Sequence, residues 1–199
     1  LHQTKILVQN WVHDQAIKRV YESGVSIDGI ESLDLDDAIW VEKNANGYSV
    51  FVHISDITEA IPLYTPLDIE ALKRTTSIYR GEWVINMFPP ELSQNLLSLN
   101  ENGEKLTLSM RIDLDNEAEI QDTQVYESIF KNKKRHDYES FMDVFSHPEH
   151  EDHEIFQLMY EIARKRRYIR TREGANMNFD ESDRQLYVGK HSEKEPFSR

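Results

Sequence analysis

Ser26-Ile27-Asp28-Gly29-Ile30-Glu31-Ser32-Leu33-Asp34-Leu35-Asp36-Asp37-Ala38-Ile39 sets four aspartates among apolar residues that favour burial. Ile27, Leu33, Leu35 and Ile39 draw the carboxylates inward with them. Carboxylates brought together there repel and resist ionising unless a cation neutralises them. Hard oxygen ligands that leave room for water and phosphate are what Mg²⁺ uses at phosphoryl-transfer sites. Immediately downstream, the β-rich runs 38–42 and 48–54 flank Lys43-Asn44-Ala45-Asn46-Gly47. Asn-Gly between two such runs predicts a hairpin. The aspartates then lie on the loop that enters a strand, with Asp36 and Asp37 at its mouth. Three readings fit this pattern. One is a one- or two-metal nuclease or phosphatase site, and another is a solvated turn with helix-capping aspartates. The third is a Ca²⁺ loop, although the glycine and terminal glutamate of the EF-hand spacing are missing.

The 199 residues suffice for one well-buried domain. Apolar residues make up 39% and charged residues 30%, as in a globular protein. No apolar run approaches the roughly 18 residues of a membrane span, and the first residues lack a signal-peptide core. There is no cysteine, hence no disulfide framework and no thiolate zinc site. A cytoplasmic location, with no membrane partner, is the expectation. The formal net charge of −13 argues against a generally basic nucleic-acid surface but leaves room for a local one. Lys131, Lys133, Lys134 and Arg135 form one basic block. Arg164, Lys165, Arg166, Arg167, Arg170 and Arg172 form another.

Residues 4–23 carry Ile6, Leu7, Trp11, Ile17, Val20 and Tyr21 at roughly helical spacing, and Gly24 supplies a stop, so a leading helix is predicted over 1–25. Val50, Val52 and Ile54 alternate with Phe51, His53 and Ser55, which predicts one core-facing side, with His53 hydrogen-bonded inside the sheet. Residues 67–76 read as a short helix and 89–99 as a turn or short helix. Residues 106–114 and 118–131 read as long strands joined at Asp115-Asn116. Residues 138–145 read as a short helix. His147, His150 and His153 lie on an acidic loop without the ligand pattern of a zinc site. Residues 155–172 read as an amphipathic helix with Ile155, Leu158, Met159, Ile162 and Ile169 inward. Its arginines gather at the C-terminal end, where the helix dipole suits them. Residues 177–179 and 185–188 read as strands, and 190–199 as a polar tail.

Ile27-Asp28-Gly29 followed by Asp34-Leu35-Asp36-Asp37-Ala38 resembles the signature of the RNB family, the ribonuclease II and ribonuclease R exoribonucleases. Val52-His53-Ile54-Ser55-Asp56 resembles the family's V-H-I-A-D, and Arg74-Thr75-Thr76-Ser77-Ile78-Tyr79 its R-x-T-S-V-Y. Ile85-Asn86-Met87-Phe88-Pro89, Leu92-Ser93 and Leu97-Ser98-Leu99-Asn100 resemble in outline I-P-M-L-P, L-S and C-S-L-N. Leu106-Thr107-Leu108-Ser109 is similar to L-T-L-S, and Lys133-Lys134-Arg135 with Tyr138 to K-K-R-L-T-Y. The blocks fall in the family's order across residues 26–179.

The resemblance implies that Asp28, Asp34, Asp36 and Asp37 hold Mg²⁺ (or Mn²⁺) and activate water. Within the quartet, Asp28, Asp34 and Asp37 would be ligands, and Asp36 a ligand or positioner of the attacking water. It implies that Tyr79 packs on the terminal bases of RNA, with Phe179 as its stacking partner. Tyr138 would lie near the deep end of the RNA channel. The activity implied is hydrolysis of single-stranded RNA from the 3′ end, releasing nucleoside 5′-monophosphates. The family's catalytic domain is considerably longer, and its T-S-P-I-R-R-Y-like segment has no counterpart here. A second chain or a further C-terminal segment is therefore expected to complete the site. The competing expectation is an RNB-like module that binds RNA or a partner protein without cutting. The fold expected is α+β: an antiparallel, hairpin-rich sheet with helices packed on one side, over residues 26–189.

Overall fold

The computed structural model describes residues 19–174 apart from 81 and 82. Strands β1 (Val20–Ile27), β2 (Asp37–Asn44) and β3 (Gly47–Ser55) come first. Helices α1 (Ile57–Ala60) and α2 (Pro66–Arg74) follow, then the short strands β4 (Ile78–Arg80) and β5 (Trp83–Ile85) and a π-helical turn, Leu92–Leu96. The long strands β6 (Glu104–Asp115) and β7 (Ile120–His136) precede α3 (Tyr138–Ser146) and α4 (His153–Arg172).

The main sheet is not an open one. It closes as a barrel in the order β1-β2-β3-β6-β7, while β4 and β5 form a separate two-stranded sheet. Neighbours along the chain pair antiparallel, but β7 returns to β1 in parallel, from Val20↔Ser128 to Ile27↔His136. Closure removes the unpaired edges that an open sheet would expose. The expectation of an antiparallel, hairpin-rich sheet is corrected to a closed barrel by that last, parallel pair, which joins strands about a hundred residues apart and leaves no local trace. Val20–Ser23, assigned above to the leading helix, belong to β1. The rest of that helix, the strands at 177–179 and 185–188 and the polar tail lie outside the described residues.

Local chemistry accounts for the turns. The predicted β2–β3 hairpin forms, with Asn44↔Gly47 as its last pair and Asn44 Oδ1 accepting from Asn46 N at 2.9 Å. Gly47 has φ 151°, and a Cβ there would stand 2.2 Å from the Leu114 carbonyl oxygen, so only glycine fits. Gly24 does not stop a helix. It lies where β1 shifts register against β7, and a Cβ would meet Ile39 O at 2.7 Å. Between β6 and β7, Asp115 Oδ1 accepts from the backbone of Glu117 and Glu119, both at 2.9 Å. Helix α3 starts on a capping box of Asp137 and Ser140.

The barrel wall is buried on its inner face and, where α3 and α4 cover it, on its outer face. On the outer face Val25, Val41, Tyr48, Val50 and Leu114 pack against Val144 of α3 and Phe156, Met159 and Ile162 of α4. Helices α3 and α4 pack together on this face, as expected of the helices. The inward face is mostly small and polar: Ser26, Ser49, His53, Thr107, Ser109 and Ser128 are all buried. Thr107, Ser109 and Ser128 hydroxyls bond one another at 2.5–2.6 Å. Arg19 Nη2 meets Asp56 Oδ2 at 2.8 Å in the same interior. On β3 Val50 and Val52 face the core under the helices as expected, but Ile54 is exposed, and the opposite side is buried too at His53 and Ser55.

His53 is hydrogen-bonded within the sheet, its Nδ1 2.6 Å from Ser109 Oγ, and its ring lies against Phe130. Burial pushes its pKa down to about 4 from 6.5, so it folds neutral. The unfolded chain therefore binds more protons between those two values. Stability carried by the neutral ring is intact above pH 6.5 and is lost as pH falls from there toward 4. Urea unfolding at steps between pH 7 and 4.5 is expected to show a flatter acid loss for His53→Gln than for the parent. Parallel curves would refute this.

Candidate active site

The acidic loop spans the mouth of the barrel from the end of β1 to the start of β2. Asp28 follows β1 directly, its N–H donating to His136 O at the end of β7 at 3.0 Å. Its Oδ1 accepts from Gly29 N and Ser32 Oγ, both at 2.8 Å. At the far end Asp37 opens β2 opposite Ile54, and Ser55 N donates to Asp36 O at 3.1 Å. Between them Leu35 is almost fully buried beside Ala38, Leu99 and Phe130. Of the loop's apolar residues Leu35 sinks, whereas Leu33, expected inward with it, is 56% exposed, and the carboxylates ride at the rim.

Ser98 fixes the middle of the loop. Buried itself, it donates its hydroxyl to Leu33 O at 2.8 Å and accepts from Leu35 N at 3.2 Å. These two bonds bracket Asp34. Leu99 N adds a bond to Leu35 O at 2.8 Å. Arg135 holds the first turn, with Nη2 donating to Gly29 O at 2.8 Å and Ile30 O at 3.0 Å. The sequence reading gave Ser98 no role of its own and counted Arg135 in a basic block that left room for nucleic acid. Their only signal was membership of the S-L-N and K-K-R blocks. Ser98→Ala would strand the buried Leu35 N–H, costing about 1–3 kcal/mol of stability in denaturant unfolding. No measurable cost would mean the loop is held elsewhere.

The four aspartates sense one another. Burial is the first cause that raises the Asp36 carboxyl above the ordinary range, followed by the charges of Asp34, Asp37 and Asp28. Asp37 is raised by burial and then by Asp28. Both side chains remain reachable by solvent at the rim, but the surrounding protein removes part of their water. Tyr79, on β4, donates its hydroxyl to Asp34 Oδ2 at 2.6 Å while its ring stays 63% exposed. That bond is the main cause raising the phenol's pKa, so it remains a donor. The base of the β4–β5 hairpin is held by Arg74 Nη1 to Asn86 O at 2.7 Å and Met87 N to Ser77 Oγ at 2.9 Å.

The structure therefore brings Asp28, Asp34, Asp36, Asp37 and Tyr79 into one neighbourhood. Tyr138 is exposed at the first turn of α3, two residues past the carbonyl that anchors Asp28. Phe179 lies outside the described residues. Among the described residues, no three histidine or carboxylate side chains converge closely enough to hold a metal ion, and that includes the aspartates and His147, His150 and His153. The donor chemistry of the quartet nonetheless fits a hard cation: all-oxygen ligands whose mutual repulsion opposes their charged forms.

A barrel carrying this acidic mouth has known relatives. The RNB domain family model matches residues 21–197, and the chain belongs to that family, a family of exoribonucleases. It is 37% identical over 165 residues to ribonuclease R of Thermotoga maritima, covering 80% of this chain and 23% of the relative. Ribonuclease R 1 of Lactococcus lactis is 29% identical over 198 residues, covering 94% of this chain and 24% of the relative. Among solved structures, Mycoplasma genitalium RNase R in complex with double-stranded RNA superposes with a TM-score of 0.72 at 26% identity. That match covers 78% of this chain and 29% of the other. Yeast Ssd1, described as a pseudonuclease, shares the fold with a TM-score of 0.68 at 23% identity, over 78% of this chain and 20% of that one. The chain thus spans about a quarter of the length of these ribonuclease R relatives.

Proposed function

We propose that this chain carries the catalytic aspartates of a hydrolytic 3′→5′ exoribonuclease acting on single-stranded RNA and releasing nucleoside 5′-monophosphates. The observation that carries the reading is the bond from Tyr79 to Asp34, which sets an exposed aromatic ring beside the carboxylate quartet. An aromatic face stacks on any base, so it holds a 3′ end without reading sequence. Asp28, Asp34, Asp36 and Asp37 would hold Mg²⁺ or Mn²⁺, which when bound neutralises phosphate charge and lowers the pKa of water. The chain's own part is to position and desolvate. Ser98 and Arg135 fix the loop, Tyr79 orients Asp34, and the half-dry setting of Asp36 keeps its carboxylate ready to accept a hydrogen bond. Tyr138, and Phe179 by resemblance, would line the path of the RNA. A further segment or a second chain would complete the grip on the phosphate.

The second reading is an RNB-like module that binds RNA or a partner protein without cutting. It is favoured by the lack of three converging ligands among the described residues and by a fold shared with a pseudonuclease. The test is digestion of a 5′-labelled single-stranded RNA with Mg²⁺ or Mn²⁺, beside EDTA. A ladder shortening from the 3′ end supports the nuclease. Intact RNA under every condition supports the non-cutting module.

A further inference from the structure

The second basic block lies on α4, which holds six cationic side chains against two carboxylates. Three of the six are occupied in holding the helix to the barrel. Lys165 Nζ bonds Glu161, Tyr48 OH and Asn116 O at 2.7–2.9 Å. Arg166 Nη1 donates to Ala118 O at 3.0 Å, and Arg172 Nη2 to Glu119 Oε1 at 2.8 Å. Their partners on the β6–β7 turn satisfy them, and their role is structural.

Arg164, Arg167 and Arg170 are different. They are exposed, follow one another at three-residue spacing, and form no ion pair among the described residues. Like charges three residues apart on a helix repel. Tyr160 and Tyr168, 50% and 68% exposed, lie four residues to either side of Arg164 on the same face. At 3.6 residues per turn Arg167 and Arg170 wind away from Arg164 by about 60° at each step, so the three guanidinium groups wrap round the helix while rising roughly 9 Å along its axis. On a chain of net charge −13 they form a local positive stripe with aromatic rings set into it. Unpaired guanidinium groups offer forked donors that match phosphate, and the rings offer faces on which bases stack.

We infer that the outward face of α4, through Arg164, Arg167, Arg170 and Tyr168, binds the phosphate backbone of single-stranded RNA. The surface lies apart from the aspartates. Phe156, near the start of α4, packs on His136 at the mouth end of the barrel, whereas Lys165 and Arg166 sit over the opposite turn. RNA held there is body of the strand, not its reacting end. The inference goes beyond the proposed cutting activity and does not depend on it.

The test is fluorescence anisotropy of a 5′-labelled 24-nucleotide oligouridine in EDTA, titrated over a range of salt, with this chain and its Arg164→Gln/Arg167→Gln/Arg170→Gln variant. Three phosphate contacts correspond to a slope of log affinity against log salt shallower by about 2, and so to roughly hundredfold weaker binding near 0.1 M salt. Tyr168→Ala is expected to weaken binding with no change of slope. A 4-nucleotide oligouridine measured at the aspartates, through Mn²⁺-dependent shortening, is expected to be unaffected by the triple variant. Unchanged affinity and slope in a variant of unchanged melting temperature would overturn the inference, and leave the stripe to an acidic protein surface. Because binding is read in EDTA, loss of the cutting activity alone would leave the result standing.

Discussion

Asp36→Asn is expected to reduce shortening of single-stranded RNA on the order of 10³-fold or more, with RNA affinity nearly unchanged. The backbone of residue 36 is held through its carbonyl, which accepts from Ser55 N, and that bond is indifferent to the side chain. What the substitution removes is one charge, at the place where burial and three neighbouring aspartates already oppose charge. The same change therefore separates catalysis from folding. In EDTA the variant is expected to melt higher than the parent, since a repelled carboxylate has been replaced by a neutral isostere. Loss of activity with a raised melting temperature assigns Asp36 to chemistry at a cost in stability, a trade-off common at active sites. An unaffected rate would remove Asp36 from the mechanism, and a lowered melting temperature would reassign it to structure.

Local signals were read well because local chemistry makes them. Asn46-Gly47 marks its hairpin since only glycine clears the Leu114 carbonyl, and Asp137 with Ser140 caps α3 wherever the chain goes next. The quartet was legible from its spacing, and its crowding follows from Leu35 sinking into the barrel mouth. The bond between Tyr79 and Asp34 spans 45 residues and was not foreseen: the resemblance gave Tyr79 to the bases and Asp34 to the metal without joining them. Closure of the barrel was not legible at all. It depends on β1 finding β7, and β1 shows apolar spacing that also suits a helix. Burial of His53 was expected, but the rest of the polar lining was not, because it is stable only where Thr107, Ser109 and Ser128 hydroxyls satisfy one another inside a closed barrel.

Phe156→Ala is expected to cost about 3–5 kcal/mol in denaturant unfolding, a large share of the roughly 5–15 kcal/mol that holds a domain together. Helical spacing pointed to Ile155, Leu158, Met159, Ile162 and Ile169 as the inward stripe and passed over Phe156, yet Phe156 is completely buried. The reason is that α4 meets two surfaces at its first turns. Phe156 stacks on Phe141 of α3, with centroids 4.7 Å apart, and presents its edge to His136 of β7 at 4.8 Å. Removing the ring leaves a cavity bounded by three elements, none of which can collapse without the others. His136 is itself buried, and burial pushes its pKa down, so it relies on an apolar neighbour. Through its carbonyl it also anchors Asp28. Phe156→Ala is therefore expected to loosen the acidic loop as well as the core. Amide exchange at Asp28 is expected to quicken more than exchange in the β2–β3 hairpin. A cost below about 1 kcal/mol would show that α4 is held by its ion pairs to the β6–β7 turn instead.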